Sequence, residues 1–158
     1  MLINPFRTIL SSQWIESVAL FTGRFALASV FWLSGQTKVD GFSLNLMIPG
    51  NIQLGWPVLK DSTLYLFEHE YNLPFIPFTL AAQMATLAEH VLPVLLLMGL
   101  MTQFAALGIF VMTLVIQIFV YPDAYATHAT WLALSLILMI RGGGQFALDY
   151  LFPSRRIP

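Results

Sequence analysis

Three side chains stand where an apolar sequence should not hold them. Glu89 and His90 lie side by side at the midpoint of residues 78–100, FTLAAQMATLAEHVLPVLLLMGL, and Arg24 interrupts the first apolar segment. A carboxylate at the centre of a bilayer costs about 2.5–3.5 kcal/mol even on insertion scales, so Glu89 requires a partner. Arg24 is the expected one. With antiparallel helices it lies roughly 9 Å from the inner end of its helix and Glu89 roughly 16 Å from either end of its own, a difference a guanidinium stem can bridge. The pair admits two readings: an ion pair that locks two helices, or a proton or substrate site built on the same carboxylate. In the second, Glu89 and His90 handle protons while Arg24 holds the carboxylate ionised, and these three form the candidate catalytic set.

Adjacent positions on a helix point about 100° apart, so Glu89 and His90 cannot both face one ligand squarely. Thr86 and Gln83 lie four and seven residues before His90, making a polar stripe that climbs towards the outer surface. Such a stripe can line a water-filled cavity or a quinone headgroup site; it can equally supply interhelical hydrogen bonds, worth about 0.6 kcal/mol each in membranes. A second cluster collects at the outer end, where Lys38, Gln117, Tyr121 and His128 fall at similar depth with Trp131 one turn further in. Cation, phenol, imidazole and indole together suit a quinone head or an anion, and also suit an aromatic belt with a snorkelling lysine. Of the three histidines, His69 sits in a Glu68-His69-Glu70 run that reads as solvated helix. No H-x-x-x-H or similar helical spacing occurs, so no metal site is expected. Arg141-Gly142-Gly143-Gly144 has no Walker lysine and reads as a helix stop.

The elements that must position these groups are legible in the composition. Of 158 residues, 58% are hydrophobic and 9% charged, with a mean hydropathy of +0.76. Soluble domains carry about 25% charged residues, so this composition is that of an integral membrane protein. A net charge of −1 offers no field for nucleic acid. The absence of cysteine excludes disulfides, thiolate metal sites and a dithiol relay within the chain. Redox work would need a bound cofactor, a quinone or a partner subunit. Arg24 within the first apolar run argues against a cleaved signal peptide.

The expected architecture is all-α: a single transmembrane domain, a four-helix bundle with spans near 17–38, 78–100, 103–121 and 125–141. Residues 1–13 read as an interfacial lead-in. The connection over residues 39–77 holds Gly41, Pro49, Gly50, Gly55, Pro57, Pro74 and Pro77, which exclude a continuous helix. Within it, residues 61–71 place Leu64, Phe67 and Tyr71 on one face opposite Glu68 and Glu70, the pattern of an amphipathic helix lying on the membrane or lidding the bundle. Pro93 is expected to kink the second span. Placing both termini in the cytoplasm puts Arg7, Arg141, Arg155 and Arg156 inside against Lys38 and Lys60 outside, as the positive-inside rule favours. The expected location is a bacterial-type cytoplasmic membrane.

These segments carry a resemblance. Phe31-Trp32-Leu33-Ser34-Gly35-Gln36-Thr37-Lys38 resembles the end of the first helix in the DoxX family. Glu89 followed by Gly99-Leu100-Met101-Thr102-Gln103-Phe104-Ala105-Ala106-Leu107-Gly108 is similar to that family's central hairpin, and Arg141-Gly142-Gly143-Gly144-Gln145-Phe146-Ala147-Leu148-Asp149 to its closing motif. The order is also the family's. The resemblance implies a small four-helix membrane protein whose relatives accompany terminal quinol oxidases, thiosulfate:quinone oxidoreductase and oxidative-stress complexes. It points to a quinone-interacting or accessory subunit, with quinone as cofactor and a redox subunit or a second copy as partner. A subgroup with a turn like Tyr121-Pro122…His128 is similar to proteins encoded beside copper-handling peptide systems, which supports the alternative of a non-enzymatic scaffold or small transporter in metal or stress homeostasis. Gln103, Gln145 and Ala147 depart from the family pattern, which has basic residues at the first two positions and serine at the third.

Overall fold

The structure, a computed structural model, describes residues 12–44, 52–71 and 73–152. The lead-in lies almost wholly outside these, as do Arg7, Pro49, Gly50, Arg155 and Arg156. Among the described residues four helices are long and apolar enough to cross a membrane, and the protein is an all-α multi-pass membrane bundle.

A serine opens the first described helix. Ser12 accepts from the Ile15 amide at 3.3 Å and so caps α1 (Gln13–Thr37). An antiparallel hairpin follows, β1 (Val39–Leu44) and β2 (Ile52–Leu59), with a bulge between Asp40 and Phe42. The glycines and prolines of this connection do exclude a continuous helix. The strand pairing was not anticipated, although Ile52, Leu54, Trp56 and Val58 alternate with Gln53, Gly55 and Pro57 at a period of two. The short helix α2 (Asp61–Leu66) runs into a π-helical turn at Phe67–Tyr71. Phe67 is buried against Ala81 and Ala82, with Leu64 and Tyr71 packed around it. The amphipathic segment therefore lids the bundle, and Glu68 and Glu70 face outward.

α3 (Phe78–Met98) continues through Pro93, which is fully buried. Proline has no N–H for the carbonyl four residues earlier, so the Glu89 carbonyl loses its helical donor. α4 (Thr102–Val115) is extended by a second π-helical turn, Ile116–Val120, and α5 (Tyr125–Arg141) returns. α1 packs on α3, α3 on α4, α4 on α5 and α5 back on α1.

The packing follows the sequence spacing. Ala82, Thr86, Glu89, Pro93 and Leu96 are buried on α3, a seam of alternating three- and four-residue steps. Leu27 and Phe31 of α1, Leu96, Ile109 and Leu138 form the core. Small residues bring the helices close, as expected in lipid, where no hydrophobic force drives helices together. Gly35 shows why: a Cβ there would lie 3.0 Å from His90 Cε1 and 3.1 Å from Glu89 Cβ. α1 and α3 are thus in close contact at the level of the buried carboxylate.

Candidate functional site

Glu89 is buried and its partner is Lys38. The ammonium lies 2.7 Å from Oε2 and 2.9 Å from Oε1. Ser34, one helical turn before Lys38, donates to Oε1 at 3.0 Å. The lysine also reaches Ser34 Oγ at 3.0 Å and the Ser34 carbonyl at 3.4 Å. Ser34 and Lys38 share a face of α1 because they are four residues apart. The three ammonium hydrogens are thus all committed.

The expected pairing of Arg24 with Glu89 is overturned. Arg24 is fully buried, but its Nη1 donates to the carbonyls of Leu96 at 3.0 Å and Leu97 at 3.2 Å, and its Nη2 to Phe146 at 2.9 Å. Leu96 and Leu97 carry carbonyls of the last turn of α3, where helical donors run out, and Phe146 lies in the segment after α5. Gly99, at φ +67°, ends α3 in a left-handed turn: its amide bonds Leu96 O and that of Leu100 bonds Leu95 O. A Cβ at Gly99 would stand 2.5 Å from Arg24 Nη1. Nearby, both oxygens of Asp149 accept from the amides that open α4, Met101 at 2.7 Å and Thr102 at 2.8 Å. Arg24 and Asp149 therefore cap opposite helix ends at one turn, with charges that complement the two helix dipoles. Arg24 is a structural cation, distant from the carboxylate.

Glu89 lines a cavity of about 190 Å³. Phe31, Met112, Ile116 and Trp131 form much of its apolar wall, and Phe67 and Tyr71 close it from the lid. Lys38, Tyr121 and His128 also reach it. Two π-helical turns meet here, with the hydroxyls of Tyr71 and Tyr121 3.4 Å apart and their rings edge to face at 5.8 Å. Burial, with the Tyr121 hydrogen bond adding, raises the Tyr71 phenol above its ordinary range, so it stays protonated. His128 is buried, with Nδ1 2.7 Å from Gln117 Oε1, while Gln117 Nε2 donates to the Pro122 carbonyl at 2.7 Å. A carbonyl can only accept, so the amide orientation is fixed and Nδ1 carries a proton. Trp131 packs between His128, at 5.1 Å, and Phe31, at 5.3 Å.

Of the outer cluster, Lys38, Tyr121, His128 and Trp131 line this cavity, whereas Gln117 stands behind His128 and orients it. His90 lies elsewhere. It points away from Glu89 and packs between Trp32 and Phe42. Its Nδ1 donates to Thr86 O at 2.7 Å, leaving Nε2 to accept from Gln36 at 3.0 Å, and Gln36 Oε1 accepts from the Leu44 amide at 2.7 Å. His90 is thus a latch for the hairpin and not a proton group beside Glu89. Gln83 is exposed on the outer face of α3, and Thr86 is buried with no partner for its hydroxyl among the described residues. The polar stripe is split between three environments. Ser34 and Tyr71 were missed as site residues: serine inside an apolar helix commonly bonds its own backbone, and Tyr71 looked like one more apolar position of an amphipathic helix. Among the described residues no three His, Asp or Glu side chains converge in a metal-ligating group.

A lidded bundle of four membrane helices with a buried lysine–carboxylate pair beside an aromatic cavity defines the class. The chain belongs to the DoxX family, whose sequence model, described as DoxX, matches residues 19–122. That stretch contains the ion pair, the lid and Tyr121. No match was found among curated proteins or among solved structures.

Proposed function

We propose that this DoxX protein is a quinone-interacting component of a membrane redox system, acting with a partner redox subunit or as a homo-oligomer. The cavity carries this reading. An apolar cavity of about 150 Å³ already holds a benzene ring, so about 190 Å³ suits a substituted six-membered ring. Its wall is aromatic and aliphatic, and its polar groups converge as they do in sites for amphipathic small molecules. A quinone, when bound, supplies two-electron, two-proton chemistry. The chain's residues would hold and orient it: Trp131 and Phe31 against the ring, Tyr121 and His128 at the oxygens. Glu89, held by Lys38 and Ser34, would be the acidic group at the polar end of the ring.

The proposed placement is a bacterial-type cytoplasmic membrane with both termini inside. The lid, Lys38 and Lys60 then lie on the outer side and Arg141, paired with Glu16 at 2.9 Å, on the inner side.

Titrating purified protein in lipid nanodiscs with a short-chain quinone tests the function. Saturable quenching of Trp131 fluorescence, weakened in Tyr121→Phe and His128→Ala, is the expected result. No response at saturating quinone overturns the reading in favour of a scaffold.

A further inference from the structure

The hairpin does not stand up from the outer end of α1; it folds back along it. β1 leaves α1 at Val39, yet its last residue, Leu44, accepts from the Trp32 indole at 2.9 Å and donates its amide to Gln36 Oε1 at 2.7 Å. Phe42 packs 6.2 Å from the Trp32 ring and 6.1 Å from that of His90. Trp32 lies five residues before the end of α1 and His90 twelve residues into α3. At 1.5 Å per residue these are about 7.5 Å and about 18 Å from the outer ends of their helices. Helical side chains also lean towards the N-terminus, which takes both α1 contacts further in. A helix of 25 residues is about 37.5 Å long, shorter than the roughly 40–45 Å of a whole bilayer. A spanning α1 therefore ends within the outer headgroup layer, and Leu44 lies beside it at the headgroup–acyl boundary.

Polarity runs along the hairpin in the matching direction. At its outer end Asp40 pairs with Lys60 at 3.8 Å. β2 descends alongside β1, with Val58 opposite Asp40, Leu54 opposite Phe42 and Ile52 opposite Leu44. Gly55, Trp56 and Pro57 bulge against Gly41 alone, and the bulge carries an indole that is 85% exposed. Ile52, Leu54 and Val58 are exposed as well, while Gln53 lines the groove against α1 with Gln36 and Lys60. An ion pair outermost, an indole next and aliphatic groups deepest is the order of a membrane interface, where tryptophan favours the headgroup level. A protein partner would impose no such order. A free strand edge is costly in hydrocarbon; here the bulge and Pro57, which has no N–H, interrupt it.

We infer that the β1–β2 hairpin is a membrane anchor immersed in the outer interface, with Trp56 among the headgroups and Ile52 and Leu54 against acyl chains. The partner of this exposed surface is lipid. The connection after α1 is then part of the membrane domain and not an aqueous loop. Through the Lys60 amide, bonded to the Lys38 carbonyl at 3.1 Å, it tethers the outer end of α1 to the bilayer.

The test uses the full-length protein in nanodiscs whose phosphatidylcholine is brominated either near the headgroup end of the acyl chain or near its methyl end. Bromine quenches the indoles it touches. The contribution of Trp56 is the difference between the unaltered protein and Trp56→Phe, a replacement at an exposed site that leaves the core intact. Trp56 is expected to lose most of its emission to the shallow label and severalfold less to the deep one. Independently, Leu54→Cys should react with a charged maleimide severalfold more slowly than Glu68→Cys on the lid. Equal labelling rates, or no quenching by either lipid, overturn the inference. Quenching by acrylamide in place of lipid would put the hairpin in water, and protection from both would put it under protein, a second copy included. Stronger quenching by the deep label overturns the interfacial depth.

Discussion

Lys38 and Glu89 form the charge pair on which the interior depends. Removing one member of a buried pair leaves an uncompensated charge and costs about 3–5 kcal/mol. Lys38→Met should therefore lower thermal stability in detergent strongly, and Glu89→Gln in the same chain should restore part of it. A double-mutant cycle measures that coupling. The same cycle on Arg24→Met and Glu89→Gln should return additive losses, since these two share no partner. At the other end, Arg24→Lys should not rescue Arg24→Met. A single ammonium cannot reproduce the planar fork that now reaches three carbonyls on two segments. Asp149→Ala should cost about 1 kcal/mol, the usual loss of a helix cap; folding yield and melting temperature read both. The departures of this chain fit the same economy of local bonds. Gln103 donates to the Met139 carbonyl at 2.7 Å, and Gln145 meets Ser17 through its amide at 3.0 Å and Gln13 through its side chain at 3.2 Å.

Two elements outside the four spans close the outer half of the molecule, and each hangs on a few contacts. The hairpin's backbone at Leu44 is satisfied by α1 side chains, the Gln36 carboxamide and the Trp32 indole at 2.9 Å. An open strand edge near lipid needs such partners, because no water is at hand to supply them. Gln36→Leu should speed hydrogen exchange at the Leu44 amide without moving protection in α4 or α5. The lid rests on Phe67 and on the Tyr71–Tyr121 contact. The Tyr71 phenol has a raised pKa, so as pH climbs past the ordinary phenol value of 10.0 the unfolded chain ionises first and the folded state loses stability. Ultraviolet titration should find Tyr71 ionising above the ordinary phenol range, with the delay reduced in Tyr121→Phe. Gly35→Val should separate α1 from α3 at the ion pair and destabilise the protein as Lys38→Met does.

For the whole molecule, the testable matter is which way it faces. The chain has no cysteine, so single cysteines report cleanly. A maleimide that cannot cross membranes should label Glu68→Cys in intact spheroplasts and Gln145→Cys only after permeabilisation. The opposite pattern would reverse the proposed topology. The family's motifs gain separate physical jobs within this frame. The Ser34–Lys38 segment builds the charged wall of the cavity, whereas the Arg141–Asp149 segment ties the far end through Asp149 and the Phe146 carbonyl.

Hydropathy alone determined that this is a membrane bundle of four spans, because lipid demands long uninterrupted helices and the composition leaves no other solution. It also determined that Glu89 must have a cation, and that Glu89 and His90 face different ways. Which cation it was, the sequence could not say. Centring each helix in the bilayer sets Glu89 level with the middle of α1, near Arg24. In the folded molecule α3 is offset along its axis, its first turns covered by the lid, so that Glu89 lies level with Lys38 and the C-terminal end of α3 lies level with Arg24. That offset is fixed by Gly35, by Phe67 against Ala81 and Ala82, and by the closing segment's hold on α4. All three are contacts between residues far apart in the chain, and no local pattern encodes their distance.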